Sequence, residues 1–423
     1  MAKETTTLGE RAVALMRNES ESNMKNDSKR RHRGAIRRYP LTLAAVISAA
    51  ALTAAACSSS SSSAPGVASS SAPSASGSQS AAASGVQAAA QKFIDNYSQR
   101  PTQIPVTTPL TEKPPTGKVI DWLTSPAPDD TGFLPYADAA AKALGWKLVV
   151  IQEGQTPATI KAAWDQVVKN KPDAVYDAGD ARSIFATELA QIKALNIPFV
   201  QLGSVDPPGG GVTAVVEGAP PFVLEGKMIA NWAVAQFGTQ THALDVQISG
   251  FAAVTLTTNT FNTTVTQICP SCTVGTLNFN VLQLGTPAIA DGAIAYLKGH
   301  PQINVLFSPF PSAAAGIAQQ LSIAGIHNVK VITGGETDIY NEVKNGTVAS
   351  AVYRQDPEWV YMVFDAFARI FNHESTAPDV QTQSSVLMWI VNKNTIPAQA
   401  ASGVYFPLVQ GSQQQFFKLW HVS

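Results

Sequence analysis

Charge is scarce in this 423-residue chain: Asp, Glu, Lys and Arg together make up 14% of it, with 29 basic against 30 acidic residues. There is no basic stripe to follow a phosphate backbone and no polybasic patch for an anionic membrane, so a nucleic-acid partner is not expected. Histidine is also rare. The six present (His32, His242, His300, His327, His373 and His421) show no metal-ligand spacing. The G-x-S-x-G, H-E-x-x-H, P-loop and G-x-G-x-x-G patterns are all missing, so the sequence offers no familiar nucleophile elbow, zinc protease helix or nucleotide cradle. Neither an enzyme nor a cofactor is expected. Cysteine is limited to three residues, too few for a disulfide-dense scaffold or a four-thiolate zinc site.

Long apolar runs are missing too, with one partial exception. Leu41 to Ala56 is alanine-rich and about 16 residues long, short of the roughly 20 that a spanning helix needs. A basic segment precedes it, Cys57 ends it and the serine tract 58–63 follows. Basic n-region, short h-region and small residues before a cut are the parts of an export signal. A cysteine at that cut reads as a bacterial lipoprotein, with residues 1–56 removed and Cys57 lipidated. Ala54 stands where a lipobox usually has Leu, so a plain cleaved signal is the competing reading. Arg37-Arg38 faintly resembles a twin-arginine signal, and Met24 is a plausible start. Ten of the 29 basic and five of the 30 acidic residues precede Cys57, which leaves the remainder at 19 against 25, mildly acidic.

The other two cysteines form Cys269-Pro270-Ser271-Cys272. A redox C-x-x-C opens a helix after a strand, whereas this one closes a helix before a strand. A second ligand pair for zinc is not evident. In an exported chain a structural disulfide is the expected state.

Residues 57–84 are almost all Ser, Ala, Gly and Pro, without charge, and are expected to form a flexible tether. A helix from Val86 to Tyr97 and a proline-rich stretch complete a segment over 85–117. From Lys118 strands and helices alternate. Strands are expected at 119–123, 147–151, 174–176, 198–202 and 212–216, with helices at 134–144, 157–168, 181–195 and 222–237. Thr156 caps the second of these helices with Pro157 at its first position. A second set follows, with strands at 244–248, 274–278, 304–307 and 330–333 and helices at 258–268, 288–298 and 313–324. Such alternation implies parallel sheets covered on both faces, and two sets in series imply two doubly wound lobes. Residues 348–353, a helix at 358–371 and 386–391 then shuttle between them. Lobe 1 is expected over 118–217 and 356–389, and lobe 2 over 218–355 and 390–423.

Between Lys118 and Val391 the chain resembles the type 1 periplasmic binding proteins, the ribose-binding-like substrate-binding components of ABC importers. The resemblance lies in the order and spacing of several pieces. These are Ala143-Leu144-Gly145-Trp146, Lys171-Pro172-Asp173-Ala174-Val175, Asn196-Ile197-Pro198-Phe199-Val200, Ile323-Ala324-Gly325-Ile326, 345–352 and Gln355-Asp356-Pro357. It implies two lobes joined by a three-segment hinge that closes on a small ligand. Ligand-binding residues would then stand at the carboxyl ends of strands, as in open α/β sheets generally.

On that basis the candidates in the first lobe are Ser125, Asp129, Asp130, Phe133, Asp177 and Asp180. Phe133 can stack on a sugar ring or plug the core; Asp129 and Asp130 can accept hydroxyl hydrogen bonds or shape the turn. Asp180 matches an acid of sugar-binding relatives, or caps a helix at Ala181. In the second lobe Phe251, Thr255, Asn259, Phe310 and Glu336 follow strands, and Gln355 precedes the helix-opening Pro357, with a hinge role as its alternative. Asp356 is expected to cap that helix. The chain departs from sugar-binding relatives at Phe310-Pro311, where they carry Asn-Asp, and at Gly334-Gly335-Glu336, where they keep an Asp. The missing polar groups disfavour a heavily hydroxylated ligand, since each unpaired hydroxyl costs about 1–3 kcal/mol. The expected function is capture of a small solute, sugar or sugar-like, for an ABC permease, by a monomer anchored outside the cell membrane through Cys57. A lipoprotein sensor that presents the ligand to a signalling receptor, and a binder of a non-sugar molecule, are the alternatives.

Overall fold

The computed structural model describes residues 75–335, 339–382, 384–398 and 406–422, with the backbone alone at 75–83, 128 and 129. Cys57, the signal and the serine tract lie outside the described residues. The first described element, α1 (Ala75–Asp95), begins ten residues before the end of the expected tether. Alanine is the best helix former, and a helix anchored at Ala90 and Ile94 extends backward through Ala81-Ala82-Ala83.

Strand β1 (Val119–Thr124) shows why both faces of its sheet must be covered. Trp122 points into one apolar cluster and Leu123 into another, and both are buried. A strand apolar on both sides needs helices on both sides. They are supplied by α2 (Pro128–Leu144) on one face, and by α3 (Pro157–Asn170) and α4 (Ala186–Ala194) on the other. The strands β2 (Lys147–Gln152), β3 (Ala174–Ala178), β4 (Phe199–Leu202) and β5 (Ala214–Val216) complete a parallel sheet of order β2-β1-β3-β4-β5. Under α3, Trp164 stacks on Phe185 with centroids 4.1 Å apart and meets Phe199 edge-on at 4.9 Å. Each such pair contributes about 0.5–1.5 kcal/mol beyond its buried area. Thr156 caps α3 as expected, in a reciprocal box with Thr159.

The second lobe opens with α5 (Ala219–Phe237) and continues through β6 (His242–Ser249), α6 (Ala252–Ile268), β7 (Thr273–Asn280), α7 (Ala288–Gly299), β8 (Val305–Ser308), α8 (Pro311–Ile323) and β9 (Lys330–Gly335). A short α9 (Tyr340–Asn345) leads to β10 (Ser350–Arg354). With β11 (Met388–Val391) these strands form a sheet of order β11-β10-β9-β8-β6-β7, parallel except where β11 runs against β10. The sulfur atoms of Cys269 and Cys272 come to bonding distance where α6 ends.

Three segments cross between the lobes: residues 217–218 after β5, Gln355 after β10, and the stretch from α10 (Asp356–Phe371) to β11. Helix α10 packs in lobe 1, where Tyr361, Phe364 and Phe367 join Trp122 in one core. Two further crossings come from the chain extensions. Helix α1 lies on α5 in lobe 2, and the proline-rich strap behind it buries Ile104, Val106 and Leu110 in lobe 1. At the other end α11 (Ser412–Leu419) returns to lobe 1, with Phe416 and Trp420 buried against α10.

Two boundaries therefore shift. The expected lobe 2 segment 390–423 ends in lobe 1, because the aromatic face of α11 fits the core beside Tyr361. Met388 and Trp389, expected in lobe 1, belong to the lobe 2 sheet through pairing with β10. Three helix starts beyond Lys118 shift by five residues or more, one of them the helix expected at 258, which starts at Ala252. The helix expected at 134 starts at Pro128, with proline at its first position, and the one expected at 181 starts at Ala186, after a run of turns.

Candidate functional site

Strand β5 leaves lobe 1 from its carboxyl end, and β10 leaves lobe 2 from its carboxyl end. Both carboxyl edges therefore face the hinge and one another. Beyond the crossing segments, the described elements of the two lobes do not pack extensively on each other, and the region between the edges is the candidate cleft.

The lobe 1 edge is acidic. Ser125 follows β1, and both its backbone N–H and its hydroxyl donate to Asp130 Oδ2. Asp177, at the end of β3, is fully buried, and its Oδ2 accepts from Gln201 Nε2 at 3.4 Å. Gly179 adopts a φ of +75°, open to glycine at little cost, and this turn carries the chain from Asp177 to Asp180. Because α4 starts at Ala186, Asp180 does not cap a helix; its carbonyl accepts from Gln201 Nε2 at 2.9 Å.

Glu153, which sequence reasoning passed over, completes the group. It follows β2, and its N–H donates to Thr124 O at 3.0 Å, so it stands beside the loop that holds Ser125. The next residue, Gly154, packs so closely on Thr159 that a Cβ there would lie 2.3 Å from the Thr159 hydroxyl, so only glycine fits. One carboxylate oxygen each from Glu153, Asp177 and Asp180 lies within 4.8 Å of the others. Burial first, then the neighbouring carboxylates of Asp180 and Asp130, push Glu153 up to about 8. Burial and Asp130 push Asp180 up to about 6, and burial also raises Asp177. Arg182, two residues beyond Asp180, is engaged elsewhere: it donates to Gln201 Oε1, Ser204 Oγ and the carbonyls of Asp206 and Pro207.

The floor of the cleft is the hinge. There Arg354 lies 3.9 Å from Glu217 and 3.3 Å from Asp356. Glu225, buried on α5, is raised by burial with partial relief from Arg354, and its carboxylate is so near Gly334 that a Cβ there would meet it at 2.6 Å.

The lobe 2 edge is aromatic. Phe251 stands ahead of α6 and Phe310 ahead of α8, with ring centroids 5.7 Å apart and Phe251 substantially exposed.

The remaining candidates fall elsewhere. Phe133 is buried in the lobe 1 core. Asp129 is in the first turn of α2, and its side chain lies outside those described. Glu336 lies outside the described residues. Thr255 bonds back to the Phe251 carbonyl, and Asn259 is exposed two turns along α6, about 10 Å from its start at 1.5 Å per residue. Gln355 is fully buried: its Oε1 accepts from Leu387 N at 2.8 Å and its Nε2 faces Met362 Sδ at 3.6 Å. It ties two crossing segments together. Asp356 is the first residue of α10, with Gln355 at the cap position.

No protein-family model matches the sequence, and no curated protein is similar to it. Solved structures are similar in shape. GanP, a glucose-galactose binding protein from Geobacillus stearothermophilus, matches with a TM-score of 0.56 at 18% identity, over 67% of this chain and 100% of that one. An ABC transporter solute binding protein from Agrobacterium vitis, bound with alpha-D-tagatopyranose, gives 0.57 at 17% identity, over 68% and 99%. A carbohydrate transporter from Acidothermus cellulolyticus, in complex with myo-inositol, gives 0.56 at 17%, over 68% and 100%. The chain has the two-lobed fold of the type 1 periplasmic binding proteins.

Proposed function

We propose that this protein is an extracytoplasmic receptor that traps a small solute, sugar or sugar-like, between its lobes and delivers it to an ABC permease. The observation that carries the reading is the opposition of two strand-end edges across a hinge, one bearing Ser125, Asp130, Glu153, Asp177 and Asp180 and the other bearing Phe251 and Phe310. Carboxylates accept from hydroxyl or amine donors, and aromatic faces pack on the apolar faces of a ring. On this reading the protein captures and releases its solute without chemistry.

The export reading of residues 1–56 and a lipid on Cys57 complete the proposal. Residues 58–74 would hold the receptor, a monomer, within reach of its permease, and Cys269 and Cys272 would be oxidised to a disulfide there. The test is a thermal-shift screen of small solutes against the purified protein. A true ligand stabilises by RT ln(1 + [L]/Kd), about 2.7 kcal/mol at a hundredfold excess over Kd, and is recovered unchanged. A ligand that is turned over overturns the reading.

A further inference from the structure

We infer that the lobe 1 end of the cleft is a recognition site for an ammonium group, so that the solute carries a positive charge. The inference rests on the receptor reading above and names the chemical class of its ligand. Three observations carry it. First, the carboxylates of Glu153, Asp177 and Asp180 converge from the carboxyl ends of β2 and β3, the two strands that flank β1, with an oxygen of each within 4.8 Å of the others. Second, each keeps a buried oxygen without a hydrogen bond: Glu153 Oε2, Asp177 Oδ1 and Asp180 Oδ2. Glu153 itself is 6% exposed and Asp177 0%. Buried polar atoms in native proteins almost always have partners, and a buried carboxylate without a donor is costly. Third, among the described residues no lysine or arginine pairs with any of these three carboxylates.

An ammonium group has three N–H donors and no acceptor, which matches three acceptors that lack donors. A neutral hydroxyl fits less well: it brings one donor, and its own lone pairs would face carboxylate oxygens. The raised Glu153 and Asp180 agree, since desolvation and mutual repulsion are opposed by no cation of the chain. A divalent ion is the other cation to weigh. Calcium takes six to eight oxygens, and the site stands on the edge where the fold presents a solute to the opposite lobe, so the ammonium of that solute is the occupant.

The experiment is isothermal titration calorimetry on the full-length protein with matched solutes, with and without EDTA. The probes are glucose and glucosamine, galactose and galactosamine, ethanolamine, and calcium and magnesium chloride. The expected result is binding of an amine that EDTA leaves intact, with its neutral counterpart weaker by tenfold or more. Glu153→Gln and Asp177→Asn should each weaken that amine by about thirtyfold or more, the usual scale for removing one partner of a buried charge pair. Glu153→Gln replaces a side chain that the unliganded fold holds largely protonated near neutral pH and should not lower the melting temperature of the unliganded protein, so lost binding there cannot be ascribed to misfolding. Equal binding of a neutral sugar, unchanged in Glu153→Gln, overturns the ammonium assignment and leaves the receptor reading standing. Binding of calcium alone, abolished by EDTA, overturns it in favour of a metal site. Failure of every amine and sugar counts against both.

Discussion

Glu153 decides how the stability of this protein responds to pH. Its ordinary value is 4.5, and burial with Asp180 and Asp130 nearby raises it to about 8 in the fold. A raised carboxyl favours the protonated form in the native state. Its contribution to stability is complete below the ordinary value and is lost as pH climbs through the folded one. Asp180 at about 6, Asp245 at about 7 and Glu358 at about 7 act in the same direction. The melting temperature of the unliganded protein should therefore fall between about pH 4.5 and pH 8. Glu153→Gln, which cannot ionise, should flatten that fall and raise the melting temperature at pH 8; a steeper fall in the variant refutes the assignment. The same residue marks a limit of sequence reading. Asp177 and Asp180 are legible because they close an apolar run in a central strand. Glu153 follows an edge strand whose residues are mostly half-exposed, so nothing local distinguishes it from a solvated acid. Only the register of β2 on β1 turns it toward the cleft. Gln355 fails the other way: its place before Pro357 matches a ligand position, but the return of the chain at Leu387 covers it.

Helix α10 is the element on which the extensions converge. Arg369 is 2% exposed and donates to Asp365 at 2.6 Å and to the Thr108 carbonyl of the strap at 2.6 Å, while Asp379 lies 3.6 Å away. Asp365 in turn accepts from Trp420 Nε1 at 2.7 Å. At the other end of the helix, buried Glu358 accepts from the N–H groups of Leu408 and Val409. One helix thus holds strap and tail through charged groups that would be costly if left alone. Arg369→Ala should destabilise the protein by about 3–5 kcal/mol, because it leaves Asp365 and Asp379 buried without their cation. Denaturant unfolding measures this; a loss under about 1 kcal/mol would mean that the carboxyls are already neutral. The amphipathic period of α10 is plain in the sequence, as are the alternating elements from Lys118 onward. The helix α11 is not, since Ser412-Gln413-Gln414-Gln415 is polar and short, and its two aromatics acquire a buried face only against α10.

At the scale of the molecule the two lobes are joined more firmly than a three-segment hinge requires. The strap binds lobe 2 where the Tyr97 carbonyl accepts from Ile390 N and the Ser98 carbonyl from Trp389 Nε1, then runs to lobe 1, where Leu110 N donates to the Leu419 carbonyl. Arg100 holds the tail on the way, donating to the carbonyls of Pro407 and Leu408. Proline-rich backbone suits this role, since it has few N–H groups to satisfy and keeps its carbonyls free to accept. These contacts are on crossing segments, and the strand-end edges are left without extensive packing on each other. Such a molecule can close only by bending at its crossings, and a solute can drive closure only through contacts it makes to both edges. Any solute that raises the melting temperature should therefore also reduce the radius of gyration in small-angle X-ray scattering. Replacing Phe251 and Phe310 together by alanine should suppress that compaction more than it suppresses binding to the acidic edge. Stabilisation by a solute with no change in the radius of gyration would show that lobe 1 binds alone, and hinge closure would have to be abandoned.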